Sequence, residues 1–447
     1  MKQAFILFVA VICSVSLPGQ KIKYESSFEK AKILALQQKK PLAVLITIQP
    51  QVYSPYYMIG LNDEKVIELF NKSFINYKVD RFDTAASWRI IREYKIFRFP
   101  SFVFLDTKGG FLFTEIAILN RPQSILDIAQ RAIAETKEKS LVEYDSAYAA
   151  GNNSSSFLKE YILRREKAGI ITNADLIEKY VFGLKVADLY NYDEVLFILK
   201  AGPIVDGNAY KLASINKHLI DSIFKSEPLS DRVAINRVMI TNTLGSAITN
   251  KNISRAMAAA NYTRSSWSDN TYEGQKNWTF NMMRYYLGVN DTAKYLMQAS
   301  IYYEQYYMRL TVDSVRIRDS LNILTAKKNA REIAKVTIND TTVRRTFSFS
   351  YTKESYSDEL NNAAWSFYQM APNKNDYLLK ALLWSRRAIE LSPKPAFYDT
   401  YAHLLYRLNL FDEAESMQRK AIELGNAEKI DTKLFEQEYG KIKRRSL

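Results

Sequence analysis

Thiols and imidazoles are the scarcest reactive groups in this 447-residue chain, which holds one cysteine, Cys13, and two histidines, His218 and His403. Zinc sites of Cys and His, iron–sulfur clusters, Cys–His nucleophilic pairs and CxxC redox pairs each need more such residues than are present. A Ca²⁺ or Mg²⁺ site made of carboxylates is still open chemically, but no DxDxDG loop occurs. GxxxxGKS/T, GxGxxG and GxSxG are all missing, and no serine is locally paired with a histidine. The expectation is therefore a chain without metal or organic cofactor and without a standard catalytic constellation. What remains for acid–base work is carboxylates and tyrosines, of which there are 48 and 30.

The elements that would position such groups follow from composition and pattern. A length of 447 residues suggests two to four domains, and 47 % hydrophobic with 25 % charged residues is ordinary for globular protein. Gly (14) and Pro (11) are few, which leans the architecture toward helix. The first residues, Met1-Lys2-Gln3, the apolar run Ala4 to Val15 and the break Ser16-Leu17-Pro18-Gly19-Gln20, have the form of a secretory signal peptide over 1–19. The run is shorter than the roughly 20 residues a bilayer span takes. Ile12 stands where a lipobox takes Gly, Ala or Ser, which argues against lipidation of Cys13. Export to the periplasm or outer surface is expected, and a mature chain without thiols cannot mispair there. The net charge of +14 is spread along the chain apart from the tail Lys441-Ile442-Lys443-Arg444-Arg445. Given export, anionic envelope polymer or lipid head groups fit this charge better than nucleic acid, which is not expected as a partner.

Residues 22–140 read as α-β-α-β-α-β-β-α, a mixed sheet flanked by helices. Phe28, Ala31, Ile33, Leu34 and Leu36 give a helix ending before Pro41, and Leu42–Ile48 is a strand covered on both faces. A helix around Asp63–Phe70, a strand Phe74–Val79, a helix over 84–96, strands Ser101–Asp106 and Phe111–Ala117, and a helix Ser124–Lys137 complete it. Lys39-Lys40-Pro41-Leu42, Phe99-Pro100-Ser101-Phe102-Val103-Phe104-Leu105-Asp106 and Lys108-Gly109-Gly110 resemble the thioredoxin-like fold over about 115 residues. The resemblance implies a cis Pro100 facing the redox loop, with the Phe99 backbone pairing with an extended peptide. Where that family carries WCGPCK, this chain has Val52-Tyr53-Ser54-Pro55-Tyr56-Tyr57. Thiolate attack begins every thiol–disulfide exchange, so redox activity is excluded by composition. What survives is a groove of Tyr53, Ser54, Pro55, Tyr56, Tyr57, Phe99 and Pro100 that could hold a peptide by β-augmentation. The alternative is that the tyrosines merely fill the former active site.

Residues 141–355 are expected to be helical and irregularly repeat-like, with helices over Ser140–Ala150, Ser156–Glu166, Asn173–Tyr190 and Asp193–Leu199. The stripe Tyr295, Tyr302, Tyr303, Tyr306, Tyr307 has the spacing of core packing, and 324–355 reads as a linker in which Val343–Tyr351 could be extended. In 356–447, Ala381, Ala388 and Leu391 recur 33 residues later as Ala414, Ala421 and Leu424. This resembles the tetratricopeptide repeat (TPR), with a capping helix over Thr432–Lys443. The resemblance implies that Asn361, Trp365, Tyr368, Asp399, His403, Tyr406 and Arg407 face a concave peptide-binding groove; the alternative is that this end only packs against its neighbours. His403 as a general base has no visible partner, and a solvated position on a helix face is the simpler reading.

The fold class is therefore α/β plus all-α: a thioredoxin-like domain followed by a TPR-like helical array. The expected function is non-catalytic binding of proteins or peptides in the bacterial envelope, as adaptor, assembly factor or holdase. Two other readings stay open: an enzyme with a carboxylate–tyrosine site in the middle helices, and a salt-sensitive binder of anionic envelope polymer.

Overall fold

The computed structural model describes residues 21–47, 55–81, 83–94, 96, 99–267, 269–318, 320, 321, 324 and 355–447. The expected signal peptide, the loop carrying Tyr53 and Ser54, and nearly all of the expected linker lie outside them. The chain divides into two compact units that meet between Asn242 and Thr243.

The first unit opens with a five-stranded mixed sheet in the order β1-β3-β2-β4-β5. Its strands are β1 (Tyr24–Glu25), β2 (Leu42–Thr47), β3 (Ile75–Asp80), β4 (Ser101–Leu105) and β5 (Phe111–Ile116). β2 runs parallel to β3, with Leu42 opposite Ile75, and antiparallel to β4, with Leu42 opposite Leu105. The two-residue β1, which carries no readable pattern, adds in parallel to β3. All of β2 and β4 is buried, as an apolar run covered on both faces should be.

Four helices cover the sheet: α1 (Phe28–Gln38), α2 (Glu64–Ser73), α3 (Thr84–Glu93) and α4 (Pro122–Glu135). Three of them, α1, α2 and α4, have a local reason to start. Ser27 Oγ accepts from the Lys30 amide, Asp63 accepts from the Lys65 and Val66 amides, and Pro122 opens α4. One sheet face packs Val44, Ile46 and Val103 against Ala31, Ala35 and Ile90. The other is a phenylalanine ladder in which Phe70, Phe74, Phe102, Phe104 and Phe113 follow one another at centroid spacings of 5.2–5.6 Å. The turn from β4 to β5 is closed by Asp106, which accepts from the Lys108 and Gly110 amides, while Gly109 adopts φ +84°.

Six helices follow, α5 (Leu141–Ala149), α6 (Ser155–Lys167), α7 (Ala174–Phe182), α8 (Tyr192–Lys200), α9 (Asn208–Ala213) and α10 (Lys217–Ser226), and the boundary then falls within α11 (Leu229–Thr249). The single helix expected over 173–190 is broken. α7 stops at Gly183, and Asp188, accepting from the Lys185 amide, starts a separate 3₁₀ turn, Val186–Tyr190.

The second unit contains α12 (Ile253–Ser265), α13 (Thr271–Gly288), α14 (Thr292–Tyr303) with a π turn Glu304–Met308, α15 (Tyr356–Met370), α16 (Asn375–Leu391), α17 (Pro395–Arg407), α18 (Phe411–Ala427) and α19 (Lys433–Lys443). The expected tyrosine stripe sits in its core: Tyr295, Tyr302, Tyr306 and Tyr307 are buried with Phe367 and Trp384. Ala381, Ala388, Ala414 and Ala421 are completely buried, which lets the paired helices α15–α16 and α17–α18 approach closely. Gly425 lies close against the residue before α19, where a Cβ would stand 2.7 Å from Thr432 Cγ2. Among the described residues, no helix is long and apolar enough to cross a membrane.

Candidate functional site

At the sheet, Pro55, Tyr56 and Tyr57 belong to a 3₁₀ helix, Pro55–Asn62, anchored by the Gly60 amide donating to the Leu119 carbonyl at 2.9 Å. The Phe99–Pro100 bond is cis. The Pro100 carbonyl accepts from the Ala117 amide at 3.0 Å, which ties this segment to the end of β5. Phe99 packs against the apolar face of the sheet and lies under the Arg81 guanidinium, 4.8 Å from the ring centroid. Phe99 and Pro100 are half-buried, so both retain accessible surface at the mouth of β4.

The second set of expected residues is split by the structure. Trp365 and Tyr368 stack at 5.0 Å, one turn apart on α15. His403 stands edge-on to both, at 5.2 and 5.4 Å. Arg407 donates to the Tyr368 hydroxyl at 3.0 Å and covers its ring. Asp399 Oδ1 accepts from Gln418 Nε2 at 2.7 Å. Trp365, Tyr368, Asp399, His403 and Arg407 therefore form one cluster. Tyr406 lies apart, its hydroxyl accepting from the Leu447 amide and its ring edge-on to Phe411. Asn361 is buried, and its Oδ1 has no hydrogen-bond partner among the described residues.

His403 is corrected by the structure. It is not solvated but only 4 % exposed, and it has partners. Nδ1 lies 2.8 Å from the Asp399 carbonyl oxygen, and Nε2 lies 3.3 Å from Glu438 Oε2. Burial pushes the Asp399 carboxyl above its ordinary range; His403 and Gln418 pull it down, and Glu438 pushes it up further. Sequence reasoning missed Gln418 and Glu438. Gln418 left a signal, being the polar member of an otherwise small-residue stripe with Ala414, Ala421 and Gly425. Glu438 left none, because it stands on a different helix among other charged residues.

Tyrosines and carboxylates of the middle helices meet in pairs, each at its own seam. The Tyr180 hydroxyl donates to Glu194 Oε1 at 2.5 Å while Lys159 binds Oε2 at 2.6 Å. Tyr192 donates to Glu227 at 2.9 Å, with Lys200 between Glu227 and Asp231. Tyr161 donates to Asp145, and Tyr144 to Glu160. Burial first, and then the neighbouring carboxylate, pushes the Tyr180 phenol up, so it acts as a donor joining helices. A cavity of about 390 Å³ opens beside the π turn, lined by Ile301, Glu304, Gln305, Met308 and Arg309. Glu304 is engaged there, accepting from Trp384 Nε1 at 2.7 Å. Among the described residues, no group of three or more His, Cys, Asp or Glu side chains is placed to hold a metal ion.

No protein-family model and no curated protein matches the chain. A solved structure described as a DsbH oxidoreductase is similar at 15 % sequence identity and a TM-score of 0.23, over 29 % of this chain and 96 % of that chain.

Proposed function

We propose that this chain is an exported, non-catalytic binding protein of the bacterial envelope. A thioredoxin-like domain without redox cysteines (22–140) would be joined to helical and TPR-like regions (141–355 and 356–447), and its ligand would be a protein or an extended peptide. The observation that carries the reading is the half-buried Phe99–Pro100 segment at the mouth of the fully buried strand β4, in a chain with no thiol beyond Cys13. Such a site can offer backbone and aromatic surface to an extended chain but cannot exchange disulfides. The TPR-like part of the proposal draws support from the four completely buried alanines at a 33-residue recurrence.

The test is peptide binding by the full chain at about 0.1 and 1 M salt, a range over which the screening length falls from about 10 to 3 Å. Extended peptides with apolar and aromatic residues should bind at both salt levels, and Phe99→Ala should weaken them about tenfold. The reading fails if no peptide binds, or if Phe99→Ala leaves affinity unchanged. The net charge of +14 favours a second reading, binding of anionic polymer. That reading requires affinity for polyanions that collapses at high salt.

A further inference from the structure

The cavity beside the π turn has a composition that peptide binding at Phe99 does not use. Its lining residues, Ile301, Glu304, Gln305, Met308 and Arg309, come from the end of α14, the π turn and the residue after it. They lie three, four and five positions apart, so they share one face of the helix. A π turn sets residues five apart one above the other, which brings Glu304 and Arg309 to the same side. Such turns are rare and occur frequently at functional sites.

Three polar groups line this space without a protein partner. The Glu304 carboxylate is fixed through Oε1, which accepts from Nε1 of the completely buried Trp384 on α16 at 2.7 Å. Its Oε2 has no hydrogen bond among the described residues, and neither the Gln305 carboxamide nor the Arg309 guanidinium has one. Opposite charges one turn apart ordinarily pair, yet no ion pair joins Glu304 to Arg309, because the indole holds the carboxylate. Beside these groups Ile301, 47 % exposed, and the half-buried Met308 supply an apolar wall. The volume of about 390 Å³ falls within the range of small-molecule sites.

The ligand follows from the groups. An anion alone would meet the Glu304 carboxylate, and a cation alone would meet Arg309. An apolar molecule would leave all three polar groups unsatisfied. A zwitterion satisfies both charges at once, its ammonium donating to Glu304 Oε2 and its carboxylate accepting from the Arg309 guanidinium. The Gln305 amide adds a second donor to that carboxylate, and an aliphatic side chain covers Ile301 and Met308. We propose that the π-turn cavity binds a free aliphatic α-amino acid. This inference goes beyond peptide binding at Phe99 and concerns residues of the second unit only.

The test is titration of the full chain with leucine, read by the indole Nε1–H NMR signal of Trp384. The chain has five tryptophans, and the signal missing in Trp384→Phe identifies the one that touches Glu304. Leucine should shift it saturably, with half-saturation at or below about 1 mM, so that about 10 mM fills the site. N-acetyl-leucine lacks the ammonium and leucine amide lacks the carboxylate, so each should need about tenfold more. Arg309→Gln should weaken leucine about tenfold and remove its advantage over leucine amide. Glu304→Gln keeps an acceptor for the indole; it should weaken leucine and remove its advantage over N-acetyl-leucine. The proposal is overturned if about 10 mM leucine leaves the signal unmoved, if leucine amide matches leucine on the unaltered chain, or if Arg309→Gln binds leucine as before. Should Glu304→Gln fail to fold, the variant at the exposed Arg309 and the two blocked probes still decide.

Discussion

Every residue of β2 and β4 is buried and none carries a charge, whereas α15–α19 bury Asn361, Ser385, Thr400, His403 and Gln418 beside Trp384 and Phe367. The difference comes from where the backbone hydrogen bonds go. In the sheet they run between strands, so the backbone itself sets the register and the side chains need only fill space. A helix satisfies its backbone internally, and only side chains join one helix to the next. The helical stack therefore spends polar contacts on alignment, and these are the contacts most sensitive to change.

The largest expected effect tests that sensitivity. Trp384 is completely buried and donates to Glu304, so Trp384→Ala should cost about 3–5 kcal/mol in denaturant unfolding. Trp384→Phe fills most of the space but leaves the carboxylate without its donor. If the two variants cost the same, the hydrogen bond outweighs the cavity and the contrast with the sheet sharpens.

A comparable loss is expected in the first unit, where the helices leave the sheet. Arg164, 5 % exposed, pairs with Glu135 at the end of α4, and its Nε donates to the Lys139 carbonyl. Arg164→Met leaves a buried carboxylate unpaired and should cost about 3–5 kcal/mol. Adding Glu135→Leu should recover most of it. A double variant as unstable as the single would mean that packing, not charge, holds this joint.

Smaller is the cost of crowding the repeat-like seam. Ala388 is completely buried, and Ala388→Leu should lose about 1–3 kcal/mol with α16 displaced. A neutral outcome would break the claim that these alanines set the helix spacing. The smallest effect has the opposite sign. Burial pushes the Glu359 carboxyl up, and Lys276 only partly offsets it. The folded state then holds its proton to higher pH than the unfolded chain, so stability falls as pH rises from about 4 upward. Glu359→Gln should add on the order of 1 kcal/mol at pH 7 and nothing near pH 4, read from unfolding at both values.

Much of the first unit was legible because its strands announce themselves. Leu42–Thr47 and Ser101–Leu105 are short apolar runs bounded by Pro41, Pro100 and the Lys108-Gly109-Gly110 turn. β1 was missed because two residues carry no periodicity. The break after Phe182 was missed because the apolar spacing continues through Gly183 into the 3₁₀ turn. In the second unit the tyrosine stripe had a helical period, yet the π turn at Glu304–Met308 that seats Tyr306 and Tyr307 left no pattern. Of the proposed groove residues, five of the C-terminal set converge as a cluster, but the burial of His403 and its contact with Glu438 were not legible.

The sequence by itself determined what this chain lacks and where its elements start. A sequence with a single cysteine, Cys13, holds no CxxC pair and cannot close a disulfide within itself in any fold. Asp63 and the 33-residue recurrence of alanines act locally or by period, so they can be read without coordinates, whereas α4 opens at Pro122, two residues before the expected Ser124. Only the tertiary structure decided which polar groups meet: Arg164 with Glu135, Trp384 with Glu304, His403 with Glu438. Each pair joins different elements, and each residue alone is an ordinary polar group on a helix. Which flank of an amphipathic helix is covered, and by what, depends on the angle and depth at which the next helix packs.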